Sequence, residues 1–121
     1  MALPFVPRVL GLSAGILLCL AALSDAAVSS KVAARGKLIL QQNCGRCHAI
    51  EAVGDSPLKN APPMRDIYSR FHPRELQERL TEGLGSKHKE MPQIQFSDDD
   101  VYAIMSYLYV LSVKSHEQRR N

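Results

Sequence analysis

The stretch Cys44-Gly45-Arg46-Cys47-His48 concentrates more reactive side chains than any other part of the chain. Two thiols lie three residues apart, and an imidazole follows the second directly. Three chemistries use such a set. The thiols can cycle as a redox disulfide, they can form half of a metal site, or they can fasten a haem.

C-x-x-C-H is the attachment pattern of c-type haem. The spacing has a physical reason. Two thiols on one short turn can add across the two vinyl groups of one haem edge, and the next imidazole then falls under the iron as proximal ligand. Neutral imidazole binds iron well, and its other nitrogen usually donates to an oxygen that fixes the ring. The competing uses fit less well. A thioredoxin-like pair needs a strand-to-helix setting, and this motif closes a helical pattern with no βαβ unit around it. Zinc needs four ligands. Beyond Cys44 and Cys47 there is only Cys19, which lies in the leader, and His48, His72, His88 and His116 show no paired metal spacing. A disulfide between Cys44 and Cys47 would close a tiny loop and add little stability.

The chain around the motif has 121 residues, enough for one domain. It begins with Arg8, then an apolar run from Val9 to Leu23, then Ser24-Asp25-Ala26-Ala27. That order predicts a secretory signal peptide over 1–26, cut after Ala26, and hence a periplasmic mature chain over 27–121. The run is short of the roughly 20 residues that span a bilayer, so a membrane attachment is expected only if the leader stays uncleaved. The mature chain is small, and a core of that size is marginal without a cofactor or crosslink. The formal charge of +3, the lack of Trp and the lack of a long basic run exclude a nucleic-acid reading.

The elements that would position the motif are helical. Val32, Gly36, Ile39 and Leu40 predict a helix ending near Cys44. Gly36 inside it costs about 1 kcal/mol against alanine, which points to close approach of another backbone. Ala49 to Met64 is aperiodic and reads as a loop. A short helix over Asp66 to Phe71 and another opening at Pro73 follow, the second with Leu76, Leu80 and Leu84 on one face and Gly83 and Gly85 at its end. Ser86 to Phe96 is a second loop. Ser97-Asp98-Asp99-Asp100 starts a last helix with Val101, Ile104, Met105, Leu108 and Leu111 at helical spacing; the three acids read as a dipole-favoured cap. From about Lys114 the tail is polar and is expected to fray. No stretch reads as a strand.

In this order, the haem motif, Ala61-Pro62-Pro63-Met64, Met91-Pro92 and a C-terminal helix with Ser106-Tyr107-Leu108-Tyr109 resemble a small class I cytochrome c over about Lys31 to Val113. The resemblance implies an all-α cytochrome c fold: three to five short helices and ordered loops wrapped around one covalently attached haem, with the N- and C-terminal helices crossing. Gly36 and Leu40 would meet Ile104 and Tyr107 at that crossing. The resemblance gives Pro62 the carbonyl that accepts from the proximal His48, although Ala61 and Met64 replace the usual glycine and leucine of that turn.

Met64, Met91, Met105, His72 and His88 compete for the sixth iron position. Family position has Met64 pack on the haem and Met91 bind the iron from its loop; His88, three residues earlier, is the rival ligand. The cofactor set is then one haem c on Cys44 and Cys47, with His48 and Met91 as axial ligands and Pro62 and Met64 against it. Histidine and thioether ligation is that of electron-transfer cytochromes c. The expected function is a one-electron carrier rather than an enzyme, meeting a dehydrogenase, reductase or oxidase as a monomer or in transient complexes. Arg46, Lys59, Lys87 and Lys89 could form a modest positive rim for such encounters. Two further haem readings stand beside it: a gas sensor or ligand-binding cytochrome with an open sixth site, and a haem subunit working inside an oxidoreductase complex. A thiol–disulfide protein is the non-haem alternative.

Overall fold

A computed structural model describes residues 29–83 and 91–121. The chain divides into Met1–Ser30 and Lys31–Asn121, and the core lies in the second unit. The expected leader over 1–26 lies outside the described residues, as do Leu84, Gly85, Lys87, His88 and Lys89. The described residues hold no strand, and none of their helices is long and apolar enough to cross a membrane.

Among the described residues, four helices build the fold. The first, α1, covers 29–43. It buries Ala33, Gly36 and Leu40, which recur at three- and four-residue steps along one face. Its end is tight: the Cys44 and Gly45 amides both donate to the Leu40 carbonyl, at 2.8 and 3.0 Å. The second helix, α2, is Met64–Arg70 and the third, α3, is Pro73–Glu82. The α3 helix opens on Pro73, whose missing N–H costs nothing in the first turn, and it buries Leu76 and Leu80. It stops at Gly83, where φ is 97°, a conformation that a side chain would strain. The returning chain then satisfies two of its terminal carbonyls. Phe96 N–H donates to the Leu80 carbonyl at 3.1 Å, and Gln95 Nε2 to that of Glu82 at 3.2 Å.

The fourth helix, α4, is Asp98–Arg120. Ser97 caps it as the sequence predicts, its hydroxyl accepting from Asp100 N–H at 3.3 Å. Val101, Ile104, Leu108 and Leu111 form its buried stripe and are at most 2% exposed. They join Leu40, Met64, Leu76, Leu80 and Phe96 in one core, so α4 is the spine on which the other elements pack.

The α1–α4 crossing is as close as Gly36 suggests. A Cβ on Gly36 would run into the Ala103 carbonyl, and only glycine admits that approach. Ile104 supplies backbone to this crossing, while Ala103, small and 1% exposed, is the nearest partner. One turn away, Arg35 Nη2 lies 2.6 Å from Asp100 Oδ1. Asp100 is therefore a tie to α1 as well as part of the cap.

Two expectations need correction. The segment from Lys114 does not fray: α4 continues to Arg120 and, at 23 residues, is not a short helix. Ser115 is 4% exposed and its hydroxyl donates to the Ser112 carbonyl at 2.9 Å, while Arg119 and Arg120 sit where the helix dipole favours positive charge. The α2 helix also starts two residues before Asp66, because the Pro63 carbonyl accepts from both Asp66 and Ile67.

Candidate haem-attachment site

The end of α1 fixes the start of the motif. Cys44 leaves the helix, and its carbonyl then accepts from Cys47 N–H at 3.0 Å and His48 N–H at 2.9 Å. The five residues thus form one closed turn that keeps both thiols and the imidazole together. Gly45 is part of the reason: a Cβ there would lie 2.6 Å from the Gln41 carbonyl oxygen. The turn packs on α1 with no room for a side chain.

Both cysteines are half-buried and are not bonded to each other. Burial, and then the charge of Cys47, pushes the Cys44 thiol up from 9.0 to about 11. A dithiol oxidoreductase needs the opposite shift, because the thiolate is its nucleophile. A thioether, by contrast, carries no charge, and a poorly solvated site suits it.

His48 is half-buried, and its Nδ1 lies 2.7 Å from the Pro62 carbonyl oxygen. With Nδ1–H donating to that carbonyl, the ring is held in one orientation and its lone pair sits on Nε2, the nitrogen left for a metal. The loop that brings Pro62 here is itself pinned. Ala49 N–H donates to Ser56 Oγ at 3.0 Å, Leu58 N–H to the Cys47 carbonyl at 3.2 Å, and Met64 N–H to the Ala49 carbonyl at 2.9 Å. Arg65 Nη1 donates to the Gly54 carbonyl at 2.9 Å. Proline at 62 and 63 restricts the backbone between these ties.

Met64 is 5% exposed and belongs to the core around α4. Met91 is half-buried in the segment that returns to α4, and Met105 is half-buried against the core edge. His72 and His116 are exposed. Arg46 and Lys59 are exposed; Lys87 and Lys89 lie outside the described residues with His88. Among the described residues no three His, Cys, Asp or Glu side chains gather as a metal cluster, so the aspartates at the start of α4 are a cap and an ion pair.

The sequence did not mark the positioning role of Tyr107 or Gly45. Tyr107 is 8% exposed, and its hydroxyl donates to the Ile50 carbonyl at 2.8 Å. It thereby ties α4 to the chain just after His48. Burial, and then the Glu51 charge, pushes its phenol up from 10.0 to about 12. Glu51 is paired with Lys37 of α1 at 2.6 Å. The resemblance placed Tyr107 at the crossing of the first and last helices, but its polar partner lies 57 residues away and left no local signal.

The motif fits a haem c: two thiols on one turn and an imidazole oriented by a carbonyl. Comparison with known families agrees. Residues 31–108 match the family model described as cytochrome c oxidase, cbb3-type, subunit III. Comparison with curated proteins and with solved structures gives no match.

Proposed function

Since this chain belongs to the cbb3-type oxidase subunit III family of c-type cytochrome domains, which bind haem c covalently and transfer electrons, we propose that it is a one-electron carrier whose haem is held by Cys44 and Cys47 and ligated by His48 and Met91. The 2.7 Å approach of His48 Nδ1 to the Pro62 carbonyl carries this reading. It fixes the tautomer and the ring, and it makes Nε2 a better ligand by drawing on Nδ1–H.

When bound, haem c supplies an iron centre that takes up and releases one electron. The chain's own residues hold that centre still. Cys44 and Cys47 anchor one edge from a turn locked to α1. His48 is held by Pro62, and the Pro62 loop by Ser56, Ala49 and Arg65. A thioether from Met91 favours the ferrous state and raises the potential. Two protein ligands leave no iron position for a substrate, which favours electron transfer over catalysis.

Arg46 and Lys59 lie exposed in the motif and its loop. They suit brief docking on acidic patches of a dehydrogenase, reductase or oxidase, and Lys87 and Lys89 would extend that rim. Electron-transfer encounters of this kind are small and weak. Export through a leader cut after Ala26 would place the carrier in the periplasm, the compartment that its cysteine usage suits.

A second reading is favoured by the description of the matched family: the domain works as a haem subunit inside a terminal oxidase. Two measurements separate and test these readings. The oxidised haem-loaded protein should show the weak far-red sulfur-to-iron charge-transfer band, which M91A should lose and M64A keep. A band unaffected by M91A would remove Met91 as ligand. Comigration of the untagged protein with a detergent-solubilised oxidase would favour the subunit reading, and migration as a free monomer the carrier reading.

A further inference from the structure

Beside the C-terminal part of α4 the chain forms an open cleft of about 330 Å³. Val53 and Gly54 of the first loop, Arg65 of α2, and Ser115, Gln118 and Arg119 of α4 line it. Two guanidinium groups from different elements thus share one cleft, and among the described residues no carboxylate lines it. Of the acids next to the rim in the sequence, Glu51 is paired with Lys37 at 2.6 Å, and Asp55, which follows Gly54, is exposed and does not line the cleft.

The donors are only partly used. Arg65 spends Nη1 on the Gly54 carbonyl at 2.9 Å and, at 3.4 Å, on that of Glu51. Its Nε and Nη2 have no partner among the described residues. Among the described residues Arg119 reaches only Ser115 Oγ, at a long 3.4 Å. A guanidinium offers five N–H donors in a planar fork, and these two leave most of theirs for something else. The Gln118 amide adds donors on the same side of the cleft. Donors on two elements lining one cleft suit a ligand that presents three or more oxygens and a double negative charge, more than they suit a single flat carboxylate.

The backbone prepares the site. Arg65 is held in place by the loop carbonyls it binds, so part of its ordering cost is met before a ligand arrives. Gly54, with φ at 90°, turns the chain back at the rim with no side chain of its own, and no described residue lies within 4 Å of where its Cβ would stand. The helical continuation beyond Lys114 is what delivers Gln118 and Arg119 to this place.

We infer that the Arg65–Arg119 cleft is a binding site for a tetrahedral phosphate oxyanion, either free phosphate or the phosphate of a lipid headgroup. None of Cys44, Cys47, His48, Pro62, Met64 or Met91 lines this cleft.

The test uses the haem-loaded protein and inorganic phosphate at constant ionic strength. Amide resonances of Gly54, Ser115 and Arg119 should shift saturably in the millimolar range, and acetate at equal ionic strength should leave them in place. R119Q should weaken the effect at least tenfold, since its side chain is exposed and its removal spares the loop ties of Arg65. R120Q, outside the cleft, should bind as the parent does. A parallel titration with vesicles containing a phosphate-monoester lipid identifies the source. Sedimentation with vesicles that R119Q and free phosphate both abolish assigns the headgroup, and phosphate binding without sedimentation assigns the free ion. No saturable shift with phosphate, equal shifts with acetate, or parent-like binding by R119Q would overturn the site.

Discussion

At the scale of single residues, the site rests on a few close fits. Gly45 is one. A methyl group there would press on the Gln41 carbonyl, so G45A should cost roughly 2 kcal/mol of strain and displace Cys44 from Cys47. The expected outcome is less covalently attached haem, measured by intact mass. Tyr107 is another. Y107F leaves the Ile50 carbonyl without its donor and should cost about 1–3 kcal/mol in chemical unfolding. Its pH dependence has a definite sign. The phenol's pKa is raised from 10.0 to about 12 on folding, so its contribution is whole below pH 10 and lost as pH rises towards 12. The parent's stability advantage over Y107F should therefore shrink across that window, and a constant gap would contradict the burial of this hydroxyl. The sequence carries the identity of Cys44, Cys47 and His48 in a local motif, and Pro62 in a proline pair at a family position. Gly45 and Tyr107 escaped because what makes them matter is another residue's backbone, which no spacing announces.

At the scale of elements, α1 and α4 depend on each other. Gly36 lets the two backbones meet at Ala103, and Arg35 reaches Asp100 beside them. G36A would force the helices apart and should cost about 3 kcal/mol, seen as a lower denaturation midpoint with the far-UV signal of the folded state kept. Retained stability would mean that the crossing is looser than the structure has it. S97A removes a local cap and should cost only about 1 kcal/mol. The helices were legible because their apolar residues recur at helical steps, and the start of α4 because serine and three aspartates mark it. Its end was not. Lys114 to Asn121 is polar, and polarity reads as fraying unless a buried Ser115 and a cation-rich last turn are known to support it. The hydrogen bonds from residues 95–96 to the end of α3 were hidden for the same reason as Tyr107: both partners look ordinary alone.

At the scale of the whole molecule, the fold and its cofactor are one problem. The unit is small, and the haem c that its family binds is a group far larger than any side chain. The double variant C44S/C47S, produced without attached haem, should lose cooperative thermal unfolding, because burial within a chain of this size is marginal. The anion cleft was invisible in the sequence, since Arg65 and Arg119 are far apart along the chain and meet only in three dimensions. The central claim is that the chain holds a closed, one-electron haem. An optical redox titration of the haem-loaded protein, followed by carbon monoxide addition to the reduced form, tests it most directly. A closed carrier gives a single wave with a slope of about 59 mV per decade and a reduced spectrum that carbon monoxide leaves unchanged. Rapid carbon monoxide binding would show an open iron and contradict the carrier.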